Sequence, residues 1–238
     1  MPSWRLTALL CLCACAAQAE EPDIRAQLVP KQFTTLSAEI PARIDHLTVR
    51  EGERFKEGQL LVGLDCALQR AQADEARAAL GAAEKTKAVN KRMVELNSGG
   101  VLEADLATAE AAKAQAKLQS AQVIISKCAI SAPFPGRVVE QKVREHQYVQ
   151  AGQPMLDILD DHALEVEFIV PSRWLAWLKT GGAFQVAVDE TAKSYPAKLT
   201  RIGARVDPVS HSLKVIGEIT GTFPELMAGM SGQVVIAP

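Results

Sequence analysis

The chain has 238 residues, with 26 Lys and Arg against 28 Asp and Glu, a formal net charge of −2. Because there is no basic excess, the charge balance argues against a nucleic-acid partner. Aromatic residues make up only 5% of the chain, so any hydrophobic core must be mainly aliphatic.

The N-terminus has the pattern of a secretory signal. An arginine precedes the apolar residues 6–17, and an A-x-A site at residues 17–19 predicts that residues 1–19 are a signal peptide. A second interpretation is lipoprotein processing, since residues 12–15 (LCAC) look like a lipobox in which Cys15 would be the acylated first residue. A short membrane anchor is a third, disfavoured because the apolar segment is far below the ~20 residues that span a bilayer. Cleavage or lipidation would place the mature chain outside the cytoplasm.

A divergent repeat follows, formed by residues 42–64 (ARIDHLTVREGERFKEGQLLVGL) and 136–158 (GRVVEQKVREHQYVQAGQPMLDI). Both copies combine strand-type alternation with a polar turn and a Gly-Gln step before an apolar run. The two copies are therefore predicted to form one β-domain, built from residues 32–65 and 129–160.

The insert between the two copies, residues 66–128, is predicted to be an α-helical hairpin. Strong helix formers dominate both of its arms. Residues 97–100 (NSGG) break the helix, because Asn and Gly tolerate the left-handed conformations of a tight turn. Thirty residues at 1.5 Å each make an arm of about 45 Å.

Small and apolar residues recur at 3–4 spacing in the second arm, which is typical of a coiled-coil seam. The alternative is that the two helices fold onto a globular core, although neither arm has the wide apolar stripe that this requires. The seam positions of the second arm are Ala104, Ala107, Ala111, Ala114, Leu118, Ala121, Ile125 and Cys128; those of the first arm are Cys66, Ala73, Ala76, Leu80, Ala83 and Val94, interrupted by Gln69, Lys87 and Asn90.

Cys66 and Cys128 stand at the two ends of this hairpin and are expected to lie within about a turn of each other. A disulfide between them would close a loop of about 63 residues, worth roughly 4 kcal/mol in the chain-entropy model. The alternative is a pair of free, buried cysteines.

Residues 161–238 alternate and carry regular turn signals, which predicts a small β-barrel. Residues 23–31 are expected to add a strand to it. Residues 171–179 are predicted to form a short helix across the barrel mouth, with Trp174 and Trp177 as packing anchors.

The sequence contains no set of residues with the spacing of a catalytic, metal or cofactor site. Residues 160–162 (DDH) could bind a cation weakly but are better interpreted as the hinge between the two β-domains. We therefore predict a protein that is not an enzyme and holds no metal or cofactor.

Residues 42–65 resemble the first lipoyl-like half-motif of periplasmic adaptors, also called membrane fusion proteins of the HlyD/AcrA type, which include the RND efflux adaptors. Residues 130–138 (ISAPFPGRV) resemble the second half-motif, and residues 164–171 and 226–236 resemble the entry and closing strands of the family's β-barrel. The resemblance implies a mixed β and α fold: a lipoyl-like barrel-sandwich hybrid split by a long antiparallel coiled-coil hairpin, plus a small C-terminal β-barrel.

By the same resemblance, the chain would be the adaptor of a tripartite efflux system in the periplasm, associated with the inner membrane. It would link an inner-membrane transporter of RND or ABC type to a TolC-like outer-membrane channel, as a homo-oligomer between trimer and hexamer. Trp174 and Trp177 would lie on the transporter side. The hairpin tip that contacts the channel would contain Arg92, Leu96, Asn97, Gly99 and Gly100.

The sequence departs from the family pattern in three places. Leu102 stands where the tip signature has serine, and His146 stands where a turn glycine is expected. The family's membrane-proximal domain is expected to be absent, which makes an RND partner less certain and an ABC transporter more open. Two alternatives from other classes are a lipoyl or biotinyl carrier domain, which would need a lysine where residues 63–67 read GLDCA, and a periplasmic metal-binding chaperone.

Overall fold

The structure is a computed structural model that describes residues 24–236. The predicted signal peptide at residues 1–19, the lipidation site Cys15 and residue 23 lie outside the described residues. Among the helices of the described range, none has the length and hydropathy needed to cross a membrane.

Fourteen strands and two long helices make up the described chain. The elements before and within the insert are β1 (Ile24–Pro30), β2 (Phe33–Ser37), β3 (Ala42–Leu47), β4 (Arg54–Phe55), β5 (Leu60–Leu64), α1 (Ala67–Glu95) and α2 (Val101–Ser126). Those after it are β6 (Ala129–Ser131), β7 (Gly136–Gln141), β8 (Tyr148–Val149), β9 (Pro154–Leu159), β10 (Leu164–Pro171), a 3-10 helix (Ser172–Ala176), β11 (Ala183–Val188), β12 (Lys193–Asp207), β13 (Ser212–Ile219) and β14 (Ser231–Val235).

The two copies of the repeat interlock in a sandwich of two four-stranded sheets, ordered β2-β9-β7-β4 and β6-β5-β3-β8. Each sheet mixes strands from both copies, so neither copy could bury its apolar face alone. The shared core is aliphatic, as the composition requires. Its most buried members include Ile44, Leu61, Val62, Val138, Val149, Leu156 and Ile158.

The turns of the two copies exchange hydrogen bonds reciprocally. The Gly52 N–H donates to the Val138 carbonyl at 2.9 Å, and the equivalent His146 N–H donates to the Ile44 carbonyl at the same distance. Gly52 has φ +81° and His146 has φ +66°. His146 therefore adopts the left-handed backbone of the glycine it replaces, a conformation that histidine tolerates better than most residues.

The Gly-Gln step has the same structural role in each copy. Gln59 accepts a hydrogen bond from the Lys56 N–H through Oε1, and Gln153 accepts one from the Gln150 N–H, both at 3.0 Å. The side-chain amide thus closes the turn that precedes the apolar strand. This local chemistry explains why the step recurs in two otherwise divergent segments.

The two helices form an antiparallel pair whose contact line follows the predicted seam. At 1.5 Å per residue, the 29 residues of α1 and 26 of α2 extend about 44 and 39 Å. Every seam position is buried or half-buried, whereas almost all other helical positions are exposed. The helices do not lie on a globular core, since the sandwich core contains Cys66 and Cys128 but no other residue of the 66–128 insert.

A disulfide joins Cys66 and Cys128 at the root of the hairpin, with an Sγ–Sγ distance of 2.05 Å. Both cysteines are buried in the sandwich core. The Leu64 N–H also donates to the Cys128 carbonyl at 2.8 Å. The root is therefore held by a covalent bond, a backbone hydrogen bond and apolar packing.

The remaining strands form a closed barrel, ordered β1-β10-β13-β12-β11-β14. Strand β1 closes it by pairing with both β10 and β14. Inside, the Phe168 and Phe184 rings pack with centroids 5.3 Å apart, and a Cβ on Gly217 would lie 2.4 Å from the Phe184 ring. A side chain at Gly217 would therefore displace the aromatic centre of the core.

Candidate partner-docking surfaces

The predicted tip residues meet at the far end of the hairpin. The Ser98 N–H donates to the Met93 carbonyl and the Asn97 N–H to the Val94 carbonyl, while Asn97 has φ +53°. These bonds form a Schellman cap that ends α1. Gly99 allows the chain to turn back, since an added Cβ would lie 2.8 Å from the Met93 Cβ.

The polar groups of the tip are exposed. Arg92 Nη1 lies 3.0 Å from Glu95 Oε2 in an ion pair of solvent-exposed side chains. Such pairs contribute at most about 1 kcal/mol, so the guanidinium can exchange this partner for another at little cost. Gly100 occupies the N-cap position of α2 without a side-chain cap, and Leu102 lies in the first turn.

Large apolar side chains surround this tip and remain exposed, a feature that the sequence reasoning missed apart from Leu96. A patch of this kind on a protein surface marks an interaction site. Its members, with exposed fractions, are Val89 (61%), Met93 (41%), Leu96 (55%), Val101 (65%), Leu102 (67%) and Leu106 (61%).

The tip patch continues along each helix as a second, solvent-facing line of residues at 3–4 spacing, which we call the outer stripes. The 3–4 spacing of the outer stripes is visible in the sequence. The seam has the same spacing on another face of each helix, so the stripes do not stand out from it. The outer stripe of α1 comprises Leu68, Ala71, Glu75, Ala78, Ala82, Lys85, Val89, Met93 and Leu96, and that of α2 comprises Leu102, Leu106, Ala109, Lys113, Ala116, Ser120 and Val123; all are exposed.

Trp174 and Trp177 lie on the segment after β10, where the predicted helix is a five-residue 3-10 helix. Their ring centroids are 4.9 Å apart, and both rings pack half-buried against the barrel core. Leu178 anchors the segment with 5% exposure. The two indoles therefore act as packing anchors while still presenting part of their surface to solvent.

Residues 160–162 connect the sandwich to the barrel, and their side-chain ligand atoms lie within 4.8 Å of one another. Asp161 is already neutralised by two guanidinium groups, since its Oδ2 lies 2.9 Å from Arg54 Nε and 3.4 Å from Arg137 Nε. Cations at these distances oppose the binding of a metal ion. The cluster therefore acts as an ion-paired junction between the two β-domains.

One carboxylate is buried in the sandwich, that of Asp157 on β9. Lys142 Nζ lies 2.7 Å from Asp157 Oδ2, and the Thr35 hydroxyl donates to Oδ1 at 2.6 Å. These bonds, the one from Lys142 first, hold the pKa of Asp157 below its usual range. Both carboxylate oxygens have partners, so the group links β9 to β2 and to the residue that follows β7, and it has a structural role.

The point at which a carrier domain would present its modified lysine reads Gly63 to Ala67 and leads directly into α1. Leu64 and Cys66 are buried there, and Cys66 is in the disulfide. This geometry gives no position for a lipoyl or biotinyl group. The exposed apolar surfaces described above are instead candidates for contact with other proteins.

The chain belongs to the RND membrane fusion proteins, since residues 33–161 match the family described as "RND MFP, barrel-sandwich hybrid domain". The resemblance found in the sequence is thereby confirmed, and this is a family of adaptors rather than enzymes. Among curated proteins, the chain is 29% identical over 216 residues to an uncharacterized protein of Haemophilus influenzae, covering 87% of this chain and 55% of that protein.

It is also 28% identical over 154 residues to the antibiotic efflux pump periplasmic linker protein ArpA of Pseudomonas putida, covering 58% of this chain and 42% of the linker. The chain thus spans about half the length of the curated relatives it matches.

Solved structures share the fold. A MacA–MexA chimera containing the Pseudomonas aeruginosa MexA α-hairpin superposes with a TM-score of 0.77 at 20% identity, covering 90% of this chain and 81% of the chimera. The membrane fusion protein Spr0693 of Streptococcus pneumoniae superposes with a TM-score of 0.76 at 20% identity, covering 90% and 97% of the two chains. At these identities the likeness concerns the fold alone.

Proposed function

We propose that this chain is a periplasmic adaptor subunit that links an inner-membrane transporter, of RND or ABC type, to a TolC-like outer-membrane channel. The observation that carries the proposal is a helical rod of about 40 Å that leaves the sandwich and ends in an exposed apolar tip. The tip is far from either hydrophobic core, so only a partner could remove its apolar side chains from water. The linker names of the relatives are consistent with this role.

The tip is the surface proposed to contact the channel. Leu96, Leu102 and their apolar neighbours would be buried there, while Arg92 would exchange Glu95 for a carboxylate or carbonyl of the channel. Leu102 takes the place of the family's serine, so this contact would gain apolar area where relatives have a hydroxyl. Burial of apolar area is worth about 25 cal/mol per Å², which makes these leucines the main source of affinity.

The outer stripes support an assembly of several copies, with α1 of one copy against α2 of the next. Two pairs of stripe residues at nearly equal distance from the root match in size. Val89 is 23 residues from Cys66 and Leu106 is 22 from Cys128, whereas Ala78 and Ala116 are each 12 residues from their cysteine. Val89 would thus meet Leu106 and Ala78 would meet Ala116, whereas Lys85 and Ala109, each 19 residues from their cysteine, would place a long side chain beside a small one. The contact is heterologous, as in a ring of identical copies.

Substitution of the tip tests the proposal. Replacing Arg92 and Leu96 together with alanine should abolish export of the system's substrate while leaving the circular dichroism spectrum and the melting temperature unchanged. The matched control is Arg77→Ala, since Arg77 also pairs with a carboxylate on its own helix but lies far from the tip. Unchanged export in the double variant would refute the tip contact.

A further inference from the structure

The end of the barrel that lies farthest from the junction with the sandwich carries a second exposed apolar surface. Strand β10 starts at Leu164, beside the junction, and ends at Pro171, which pairs with Ser212 of β13. The Ser172 N–H donates to the His211 carbonyl at 2.8 Å, so the 3-10 helix lies next to the β12–β13 turn. We call residues 172–179 and 205–211 together the distal end.

Apolar side chains project from this end into solvent. Leu175 lies between the two tryptophans in the sequence and points outward, whereas Leu178 is buried. The indole rings are half-buried, with the remaining surface exposed. The exposed apolar side chains of the distal end and the adjoining strand β10 are Ile169 (63%), Leu175 (47%), Val206 (39%) and Val209 (89%).

Positive charge accompanies this apolar surface. Arg173, Lys179 and Arg205 are exposed, and the acidic side chain within the same segments is Asp207. Asp207 Oδ1 accepts hydrogen bonds from the Val209 and Ser210 N–H groups, each at 2.9 Å, so this carboxylate is engaged in closing its own turn. The net charge of the distal end is therefore positive.

The N-terminal segment of the chain enters the barrel at this same end. Ala26 pairs with Phe168, so Ile24, the first described residue, lies level with the last residues of β10. Eight residues lie between Cys15 and Ile24, which allows at most about 30 Å of extended chain. An acyl group at Cys15 would therefore keep the distal end close to a membrane.

We propose that the distal end of the barrel binds the surface of an anionic lipid bilayer. Tryptophans flanked by leucine and by cations are the side chains that favour the headgroup region, where an indole has both an apolar and a polar environment. Lysine and arginine add electrostatic attraction to anionic lipid. Leu175 and Val209 enter the acyl boundary, while Arg173 and Arg205 contact lipid phosphates. This contact needs no other protein, so it is independent of the adaptor function proposed above.

Intrinsic fluorescence provides a direct readout. The chain has three tryptophans, of which Trp4 lies in the predicted signal peptide and the other two are Trp174 and Trp177. In the mature chain from Glu20, which retains every described residue, all tryptophan emission therefore comes from the distal end. Vesicles of phosphatidylethanolamine and phosphatidylglycerol should shift this emission to shorter wavelength and sediment with the protein. Vesicles of phosphatidylcholine alone should bind at least about fivefold more weakly.

Two variants separate the apolar from the ionic contribution. Leu175→Ser with Val209→Ser should weaken binding at least about tenfold. The control Ile124→Ser with Val139→Ser, which changes exposed apolar residues of the hairpin and the sandwich, should leave binding unchanged. Arg173→Glu with Arg205→Glu should weaken binding by about 25-fold at low salt and less at high salt, at about fivefold per cation.

Absence of both the emission shift and sedimentation would overturn the proposal, as would equal loss of binding in the control variant. If vesicles fail to bind and the Leu175→Ser, Val209→Ser variant still abolishes export, the distal end is a protein-binding surface that contacts the transporter instead. Failure of the Arg92 and Leu96 test would leave the vesicle result unaffected.

Discussion

The sandwich and the hairpin are stabilised in different ways. The sandwich buries large aliphatic side chains such as Leu156 and Ile158 between two sheets, whereas the hairpin buries a line of alanines between two helices. Alanine allows the helix backbones to approach closely but removes little apolar area from water. The hairpin is therefore the weaker region, and it leaves most of its larger apolar side chains exposed to solvent. The sandwich provides most of the stability, and the exposed apolar area lies on the hairpin, where partners are proposed to bind.

The disulfide joins the two regions, and its loss should have the largest effect. Replacing Cys66 and Cys128 with serine should lower the free energy of unfolding by about 4 kcal/mol, because a loop of about 63 residues is released in the unfolded chain. Urea denaturation measures the loss. Thiol titration of the denatured, unreduced mature chain should find neither cysteine free. Two titratable thiols would contradict this account of the root.

Truncating a buried leucine should cost more stability in the sandwich than in the hairpin. Leu156→Ala should cost about 3 kcal/mol, since a fully buried leucine leaves a cavity that the surrounding sheets cannot fill. Leu118→Ala, in the hairpin seam, should cost less, because the two helices can approach each other over the smaller side chain. Urea denaturation of both variants provides the comparison. Equal losses would mean that the two regions are equally well packed.

Asp157 gives the stability of the sandwich a dependence on pH. Because the folded pKa lies below the unfolded value of about 3.9, the carboxylate contributes stability fully at neutral pH. This contribution is lost as the pH falls through the folded pKa. Asp157→Asn should therefore cost about 1–2 kcal/mol at pH 7 and less near pH 3.

Chemical denaturation at a series of pH values measures this dependence. The control is Asp105→Asn, which removes an exposed carboxylate from α2. A constant difference between wild type and Asp157→Asn across the pH range would show that Lys142 and Thr35 do not hold the carboxylate as described.

The smallest expected effect is a gain in the stability of the hairpin, from a substitution in its seam. Asn90 is half-buried in the seam of α1, where a polar side chain lowers coiled-coil stability. Asn90→Leu should stabilise the hairpin by about 0.5–1 kcal/mol. Hydrogen exchange of the α1 and α2 amides should slow, while exchange in the sandwich should not change. Faster exchange in the helices would place residue 90 outside the seam.

Much of this architecture is encoded in local patterns. The seam of α2 could be found from the spacing of Ala107, Ala111 and Leu118, because a 3–4 repeat specifies one face of a helix. The family followed from the repeat and the Ala-Pro-Phe motif. The role of the outer stripes could not be obtained in the same way, since spacing alone does not tell which of two apolar faces is buried.

Contacts between residues far apart in the sequence could not be predicted from local sequence patterns either. Arg54 and Asp161 are 107 positions apart, and nothing in either neighbourhood indicates the other. The 3-10 form of residues 172–176 is set by packing of Trp174 and Trp177 against the barrel, so local propensity could predict a helix but not its type.

The adaptor role requires that the tip of the hairpin binds a second protein. A photoreactive amino acid at position 96, in cells that carry the whole export system, tests this most directly, with the same group at Ala79, on the exposed side of α1, as control. Our account predicts that position 96 cross-links to the outer-membrane channel and position 79 does not. Cross-linking of position 96 to the inner-membrane transporter, or to no protein but this one, would contradict it.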